Sequence, residues 1–324
     1  MSTTRAFAHT NIALIKYWGK LPGNLNLSAT GSLSLTLDGF GTETELSFID
    51  NPQDIFILNN QKKHGEALAR VQKFLDLVRL LAKQDQRCLV RSQNHVPTQS
   101  GLASSASGFA ALAVAANHLF NLSLNNLELS KLARMGSGSA ARSIFGEFVY
   151  MHAGCSKDQS GGYAESIIKH PALDVRLIVV QCADQEKSIS SREGMNLTAQ
   201  TSPYYPAWVA THAQDLKCAM DAVLSGDLQR LGELTEHSTL KMHATMLAAK
   251  PWFSYIEPLT LIVMNRVKKL RDHGATCYFT MDAGPHVKVL CKANEANAIA
   301  KDLRQIPDII QIDIVAPGKG AYLL

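Results

Sequence analysis

The stretch from Leu102 to Phe120, LASSASGFAALAVAANHLF, constrains this chain more than any other part of it. Nearly every residue is small or apolar, so a helix formed here has no broad polar face and must be packed on most sides. Ser104, Ser105, Ser107, Asn117 and His118 interrupt it, and a membrane span needs about 20 cleaner residues. The reading is a buried helix, wrapped by the elements around it. Such wrapping needs chain. The 324 residues amount to roughly two domains at about 150 residues each, and 46% apolar with 19% charged residues describes a soluble globular protein.

Ser32–Leu37 and Thr42–Ile49 alternate with period two, and the DGFG between them predicts a hairpin. A short strand at Asp54–Leu58 precedes a helix from His64 to Lys83, with Leu68, Val71, Phe74, Leu75 and Val78 on one stripe. A strand at Arg87–Gln93 leads into the buried helix. A short helix at Leu127–Met135, the loop GSGSAARS and the strands GEFVYM and DVRLIVVQ follow. From about Ala183 the texture changes to helices at Ala207–Leu224, Leu228–Ala249 and Pro258–Asp272. Strands TCYFTM and HVKVLC come next, then a helix at Asn294–Arg304 and a strand at Ile309–Val315. Without regular βαβ alternation, this order predicts an α+β fold in two parts, 1–185 and 186–324.

Lysine plus arginine number 32 against 28 acids, a net +4 with no basic block. That excludes a nucleic-acid-seeking tail and leaves room for a local basic pocket that takes a small anion. The first twenty residues lack the order of a signal peptide. Six cysteines stand singly with no CxxC, which suits a reducing, cytoplasmic setting. Among eleven histidines there is no HExxH, and His237 and His243 are six apart, which a helix does not bring to one face.

Four segments carry chemistry. Pro97 to Asn117 runs through a turn into a helix opening with Ser104, Ser105, Ser107 and Gly108. Unpaired amides and the positive end of the dipole make such a start a seat for phosphate, and a capped core helix is the other reading. Ala8 to Lys20, AHTNIALIKYWGK, gathers Lys16, Tyr17 and Lys20, donors that suit a diphosphate or a solvated strand end. Arg134–Ser143, RMGSGSAARS, joins an amide-rich loop to an arginine fork that fits a carboxylate; a plain Gly/Ser turn is the alternative. In FTMDAGPHVKVL, Asp282 stands before Ala-Gly, a place where aspartate also forms turns.

Together these segments resemble a known family. P-x-x-x-G-L-x-S-S-A is similar to the phosphate signature of the GHMP kinases, and Ser92, Asn94, Pro97, Thr98 and Gly101–Ala106 extend it to that of the diphosphomevalonate decarboxylases. KYWGK, RMGSGSAARS, KSISSREGM at Lys187–Met195, HATMLAAKPWFSY and MDAGPH match that family's strings in order. The resemblance implies a GHMP-kinase fold: an N-terminal half like ribosomal protein S5, a C-terminal α/β sandwich, and a cleft between them. It implies ATP with Mg²⁺, the ion touching Ser105, and ATP contacts from Ser92 and Asn94, on the adenine side, and from Gly101, Leu102, Ala103, Ser104, Ser105, Ala106, Ser107 and Gly108. Substrate contacts would come from Asn11, Tyr17, Trp18, Gly19, Lys20, Arg70, Ser137, Gly138, Ser139, Ala140, Ala141, Arg142, Ser191, Arg192 and Met195. Asp282, Lys16 and Arg142 would do the catalysis, Asp282 as base and Arg142 as grip on the substrate carboxylate.

The implied reaction is ATP-dependent decarboxylation of mevalonate diphosphate to isopentenyl diphosphate, in a cytoplasmic homodimer that binds neither nucleic acid nor membrane. Sibling activities are use of the monophosphate, or phosphorylation without decarboxylation. A sensor without turnover is the reading from another class. The chain departs from the family pattern at Ser28–Ser34, at Ala141, at Glu147 where glycine is common, and at His286 where asparagine is common.

Overall fold

Alternating patches of the sequence become two sheets, and the Ala-rich helix lies under the larger one. The computed structural model describes residues 3–23, 25–95, 104–155, 160–182 and 189–324. In chain order come β1 (Thr3–Ile15), β2 (Ser32–Ile49), β3 (Ile55–Leu58), β4 (Gln61–Lys62), α1 (Gly65–Ala82), β5 (Arg87–His95) and α2 (Ser104–Leu119). Then follow α3 (Asn126–Gly136), α4 (Ala140–Ser143), β6 (Phe148–Met151), β7 (Ala164–Ser166) and β8 (Val175–Gln181). The remainder is α5 (Ser191–Thr201), α6 (Tyr205–Ser225), α7 (Leu228–Leu247), α8 (Pro258–Asp272), β9 (Cys277–Met281), β10 (Val287–Lys292), α9 (Ala296–Leu303), β11 (Gln311–Val315) and β12 (Tyr322–Leu323).

The first sheet has eight strands in the order β12-β1-β2-β5-β3-β4, with β6 on β2 and β7 on β6; the second has four, β11-β8-β10-β9. Pairings are antiparallel except β3 with β5. The α+β class expected from the element order is what forms. Helix α2 is buried over most of its length, Ala110 to Ala116 without a break, and small side chains let it lie close against β1 and β2. Among the described residues no helix is long and apolar enough to cross a membrane.

The DGFG segment does not turn the chain back. β2 runs through it as one strand of 18 residues, and β1 pairs with both halves. His9 faces Gly41 while Asn11 faces Thr36, so residues 37–40 bulge opposite Thr10. The tail fills that bulge: the Asp38 amide donates to Ala316 O at 2.9 Å, and Leu37 bridges to Pro317. A bulge bends a strand where a turn would reverse it. The long partner strand decides between them, and alternation alone does not reveal it.

The same tail accounts for Glu147. Its φ is +55°, its amide donates to Gly318 O at 2.8 Å and its carbonyl accepts from Thr36. A left-handed residue there is easiest for glycine, so the glutamate is held by backbone pairing. At Gly146 a Cβ would stand 2.7 Å from the Gly320 amide, which is why the two backbones can touch.

β8 precedes residue 185 in the chain yet sits inside the second sheet, between β11 and β10. Conversely, β12 returns to the first sheet beside β1. One apolar core joins the two: Ile12, Leu14, Leu33 and Leu35 meet Leu177, Val179 and Leu290, with Leu216 of α6 and Leu231 of α7. Truncating a fully buried residue such as Leu35 to Ala costs about 2–5 kcal/mol.

Candidate active site

Where the first sheet meets α5, α7 and the end of β9, a cleft of about 730 Å³ opens. β1 supplies one wall. Its inward residue Asn11 donates from Nδ2 to Ser143 Oγ (2.7 Å) and Ser139 O (3.2 Å), and its Oδ1 accepts from Arg142 Nε at 2.8 Å. Asn11 thus aims Arg142, whose Nη1 donates to Ser32 Oγ at 2.9 Å. Among the described residues, buried Arg142 has only these neutral acceptors and a tyrosine face, Tyr17, 5.9 Å away. Burial pulls its pKa down to about 10, although Asp282 and Tyr17 act against that.

Just past β1, the chain is pinned by helices. The Lys16 amide donates to Ser238 Oγ (2.9 Å) on α7, and its carbonyl meets His212 Nε2 (2.8 Å) on α6. The side chain, 1% exposed, reaches Asp282 Oδ1 at 2.7 Å and Ala13 O at 2.8 Å. Asp282 follows β9 and keeps 32% of its side chain open. Burial pushes this carboxyl up, but Lys16, Lys288 and Arg142 outweigh it and hold the group below its ordinary value. For Lys16 burial acts downward, and Asp282 keeps the ammonium charged.

At the other end cations converge without ion-paired carboxylates among the described residues. Lys20 donates to Asn26 Oδ1 at 2.8 Å; burial first, then Arg192 and Arg70, lower it to about 8. Asn26 in turn clamps Met135 O at 2.7 Å. Arg70 on α1 lies over Phe109 and gives Nη2 to Gly136 O at 3.3 Å. Among the described residues, Lys20, Arg70, Arg142 and Arg192 have no carboxylate within 4 Å, although Glu66 also lines the cleft. The Tyr17 hydroxyl is buried without a protein partner. A second cavity of about 740 Å³ is lined by Asp174, Asp227 and Glu233 as well as by Lys292 and Arg271, and Arg271 is spent on Glu236 at 2.8 Å.

Between the two ends, α2 starts. Ser104 and Ser105 line the cleft, and Ser105, Ser137 and Ser139 form a chain of hydroxyls at 3.4 and 3.2 Å. These are hard oxygen donors of the kind Mg²⁺ accepts alongside phosphate oxygens. No group of three or more acidic, His or Cys side chains suited to a metal occurs among the described residues. Ser105 is the hydroxyl that would face such an ion alongside phosphate oxygens.

Of the residues expected in the site, Asn11, Lys16, Tyr17, Trp18, Lys20, Arg70, Ser104, Ser105, Ser137, Gly138, Ser139, Arg142, Ser191, Arg192, Met195 and Asp282 line this one cleft. Others lie off its lining. Ser92 Oγ is bonded to Thr44 (2.9 Å), Asn94 accepts from Thr42 (3.0 Å) and Ser107 Oγ meets Thr42 (2.8 Å), so all three stitch α2 and β5 to β2. Ala106, Ala140 and Ala141 are fully buried. Gly108 lies on α2 outside the lining. Gly19 has φ +99° and a Cβ there would collide with the Tyr205 hydroxyl; it makes room. Gly101, Leu102 and Ala103 lie outside the described residues.

Sequence reasoning overlooked Lys288, 3.7 Å from Asp282 Oδ2, and His243 on α7, which burial lowers to about 4. The signal for Lys288 was a lysine amid VKVLC, a strand otherwise apolar. The second half of KSISSREGM opens helix α5, begun by a Ser190–Glu193 capping box. His286, in place of asparagine, is buried and accepts from the Cys182 amide at 3.2 Å.

A serine-lined helix start facing a cation-rich cleft, in this two-sheet α+β frame, defines the GHMP-kinase class. Residues 8–162 match the diphosphomevalonate decarboxylase-like N-terminal domain, and residues 176–314 the mevalonate 5-diphosphate decarboxylase C-terminal domain. The chain belongs to the diphosphomevalonate decarboxylase family.

It is 32% identical to the diphosphomevalonate decarboxylase of Aspergillus fumigatus, over 92% of this chain and 79% of that one. It is also 31% identical to the phosphomevalonate decarboxylase of Haloferax volcanii, over 88% and 86%. The mevalonate diphosphate decarboxylase of Staphylococcus aureus superposes with a TM-score of 0.95 at 41% identity, over 99% and 98% of the chains. A structure described as MDDEF in complex with MVAPP, AMPPCP and magnesium gives 0.94 at 43%, over 99% and 98%.

Proposed function

We propose that this chain converts (R)-5-diphosphomevalonate and ATP to isopentenyl diphosphate, ADP, phosphate and carbon dioxide. The observation that carries the reading is Asp282, paired with Lys16 and set in one cleft with a carboxylate-free Arg142 and the serine-lined start of α2. Lys20, Arg70, Arg192 and the Tyr17 hydroxyl hold the diphosphate. Arg142, aimed by Asn11, takes the substrate carboxylate. Mg²⁺, when bound with ATP at Ser105, neutralises phosphate charge and fixes the transferring group.

Asp282 accepts the proton of the tertiary hydroxyl as the hydroxyl oxygen bonds to the γ-phosphorus and the bond from that phosphorus to the bridging oxygen breaks, ADP leaving with its electron pair, a step that positioning dominates. General-base help of this kind contributes about 10²–10⁴-fold. The phosphate then leaves with the C–O electron pair, and the cations nearby stabilise its charge. Carbon dioxide departs as the C–C pair closes the alkene, and Arg142 holds the carboxylate until that moment. The family resemblance further supports a cytoplasmic homodimer, a state that light scattering on the purified protein reads.

The test mixes protein, Mg-ATP and mevalonate diphosphate, with mevalonate monophosphate alongside, and follows carbon dioxide, ADP, phosphate and alkene together. Equal amounts of all four from the diphosphate alone are expected. ADP without carbon dioxide would make the chain a kinase that stops halfway, and faster turnover of the monophosphate would move the substrate.

A further inference from the structure

Lys288 is a buried ammonium that the reaction as described leaves unused. β10 lies between β8 and β9, away from either edge. Val287 and Val289 belong to the core around α8 and α9, whereas Leu290 faces the core shared by the two sheets. Lys288 has the parity of Leu290 and stands opposite Thr280 on β9; two residues beyond Thr280 comes Asp282. Strand register therefore puts Lys288 beside this carboxylate.

The ammonium is 1% exposed and does not line the cleft. It stands 3.7 Å from Asp282 Oδ2 and 3.4 Å from His286 O, while Lys16 takes Oδ1. Among the described residues Asp282 is the only carboxylate within 4 Å of it. A buried charge with a single counter-ion depends on that counter-ion.

We propose that Lys288 is a positioning residue for Asp282, holding Oδ2 from inside the sheet so that the base stays ionised and keeps one orientation towards the cleft. The groups that face this carboxylate are Lys16 after β1, Arg142 on α4, His243 on α7 and Lys288 on β10. Lys16 and Arg142 line the cleft, so an anionic substrate offsets their pull. His243 is neutral near pH 7. Lys288 is out of the substrate's reach, and its hold persists through turnover. This inference rests on the base role proposed for Asp282.

Lys288→Met in the full chain tests it, with Lys288→Gln as a second variant that removes the charge and keeps a polar end. Expected is a fall in kcat of about 10–100-fold, as for a reacting group slightly misplaced, with both KM values within about two-fold. The acid limb of kcat should move up by about one pH unit, the scale of one neighbouring charge. Melting temperature gives a readout that needs no turnover. Asp282→Asn strands the Lys288 ammonium and should lower it; Lys288→Met added to Asp282→Asn should recover part of the loss.

Unchanged kcat with an unmoved acid limb in either folded variant overturns the proposal. So does an equal melting shift from Lys288→Met in both backgrounds. A wild-type chain without decarboxylation would refute the proposed function instead, and the melting comparison would still decide whether Lys288 depends on Asp282.

Discussion

Arg79 and Arg142 are both buried arginines, and their surroundings are opposites. Arg79 on α1 grips Asp54 with both terminal nitrogens (3.0 and 2.8 Å) and takes Asp76 at 2.6 Å, and the Cys88 amide donates to the same Asp54. Burial acts downward on Arg79, but those carboxylates prevail and raise it. Among the described residues Arg142 donates only to the oxygens of Asn11 and Ser32, and burial lowers it. A buried cation given carboxylates braces the fold. One given only neutral acceptors has charge left for an anion from solution.

The sharpest way to break that contrast starts at the carboxylate between the cations. Asp282→Asn should cut kcat by about 10³-fold, within the range of a lost general base, while equilibrium binding of nucleotide and diphosphate persists. Near-normal turnover would remove Asp282 from the reaction. Next, Arg142→Lys keeps a charge and loses the fork, and kcat/KM should drop about 100-fold, by the loss of a charged hydrogen-bond pair.

Lys20 comes third. Its pKa is lowered to about 8, so it is charged below that pH and loses its proton above it. A bound diphosphate favours the protonated form, so diphosphate binding should weaken as pH rises through about 8. Lys20→Met should weaken it at all pH values and abolish that limb, which titration with inorganic pyrophosphate can follow. The smallest kinetic effect belongs to Arg79→Met. Turnover should stay within two-fold while unfolding is easier by about 3–5 kcal/mol, because buried Asp54 loses its bidentate partner and keeps only the Cys88 amide and a distant Arg87 at 3.9 Å. Denaturant melts and steady-state rates on one preparation separate these outcomes.

Much of the site was legible because its motifs are local. KYWGK, GSGSAARS and MDAGP each place their polar groups within a few residues, and the structure gathers them around one cleft. What escaped was set by pairing across the chain. DGFG looks like a hairpin until β1 runs past it on both sides. Ser92, Asn94 and Ser107 look like ATP contacts, but in the structure their side chains bond to Thr42 and Thr44. Lys288 looks like an ordinary strand lysine until register sets it beside Asp282.

β12 lays Leu323 and Tyr322 against Ala6 and Phe7, on the very strand that leads into Lys16. The lobe that carries Asp282 thus seals the lobe that carries the phosphate seat. If the chain were severed between β7 and β8, the first fragment would bare a strand edge and half of the shared core, both of them sticky. Two such fragments would seek each other or aggregate, and neither would serve as an independent module. Anyone grafting one lobe onto a relative's other lobe would have to bring β12 along with the first sheet.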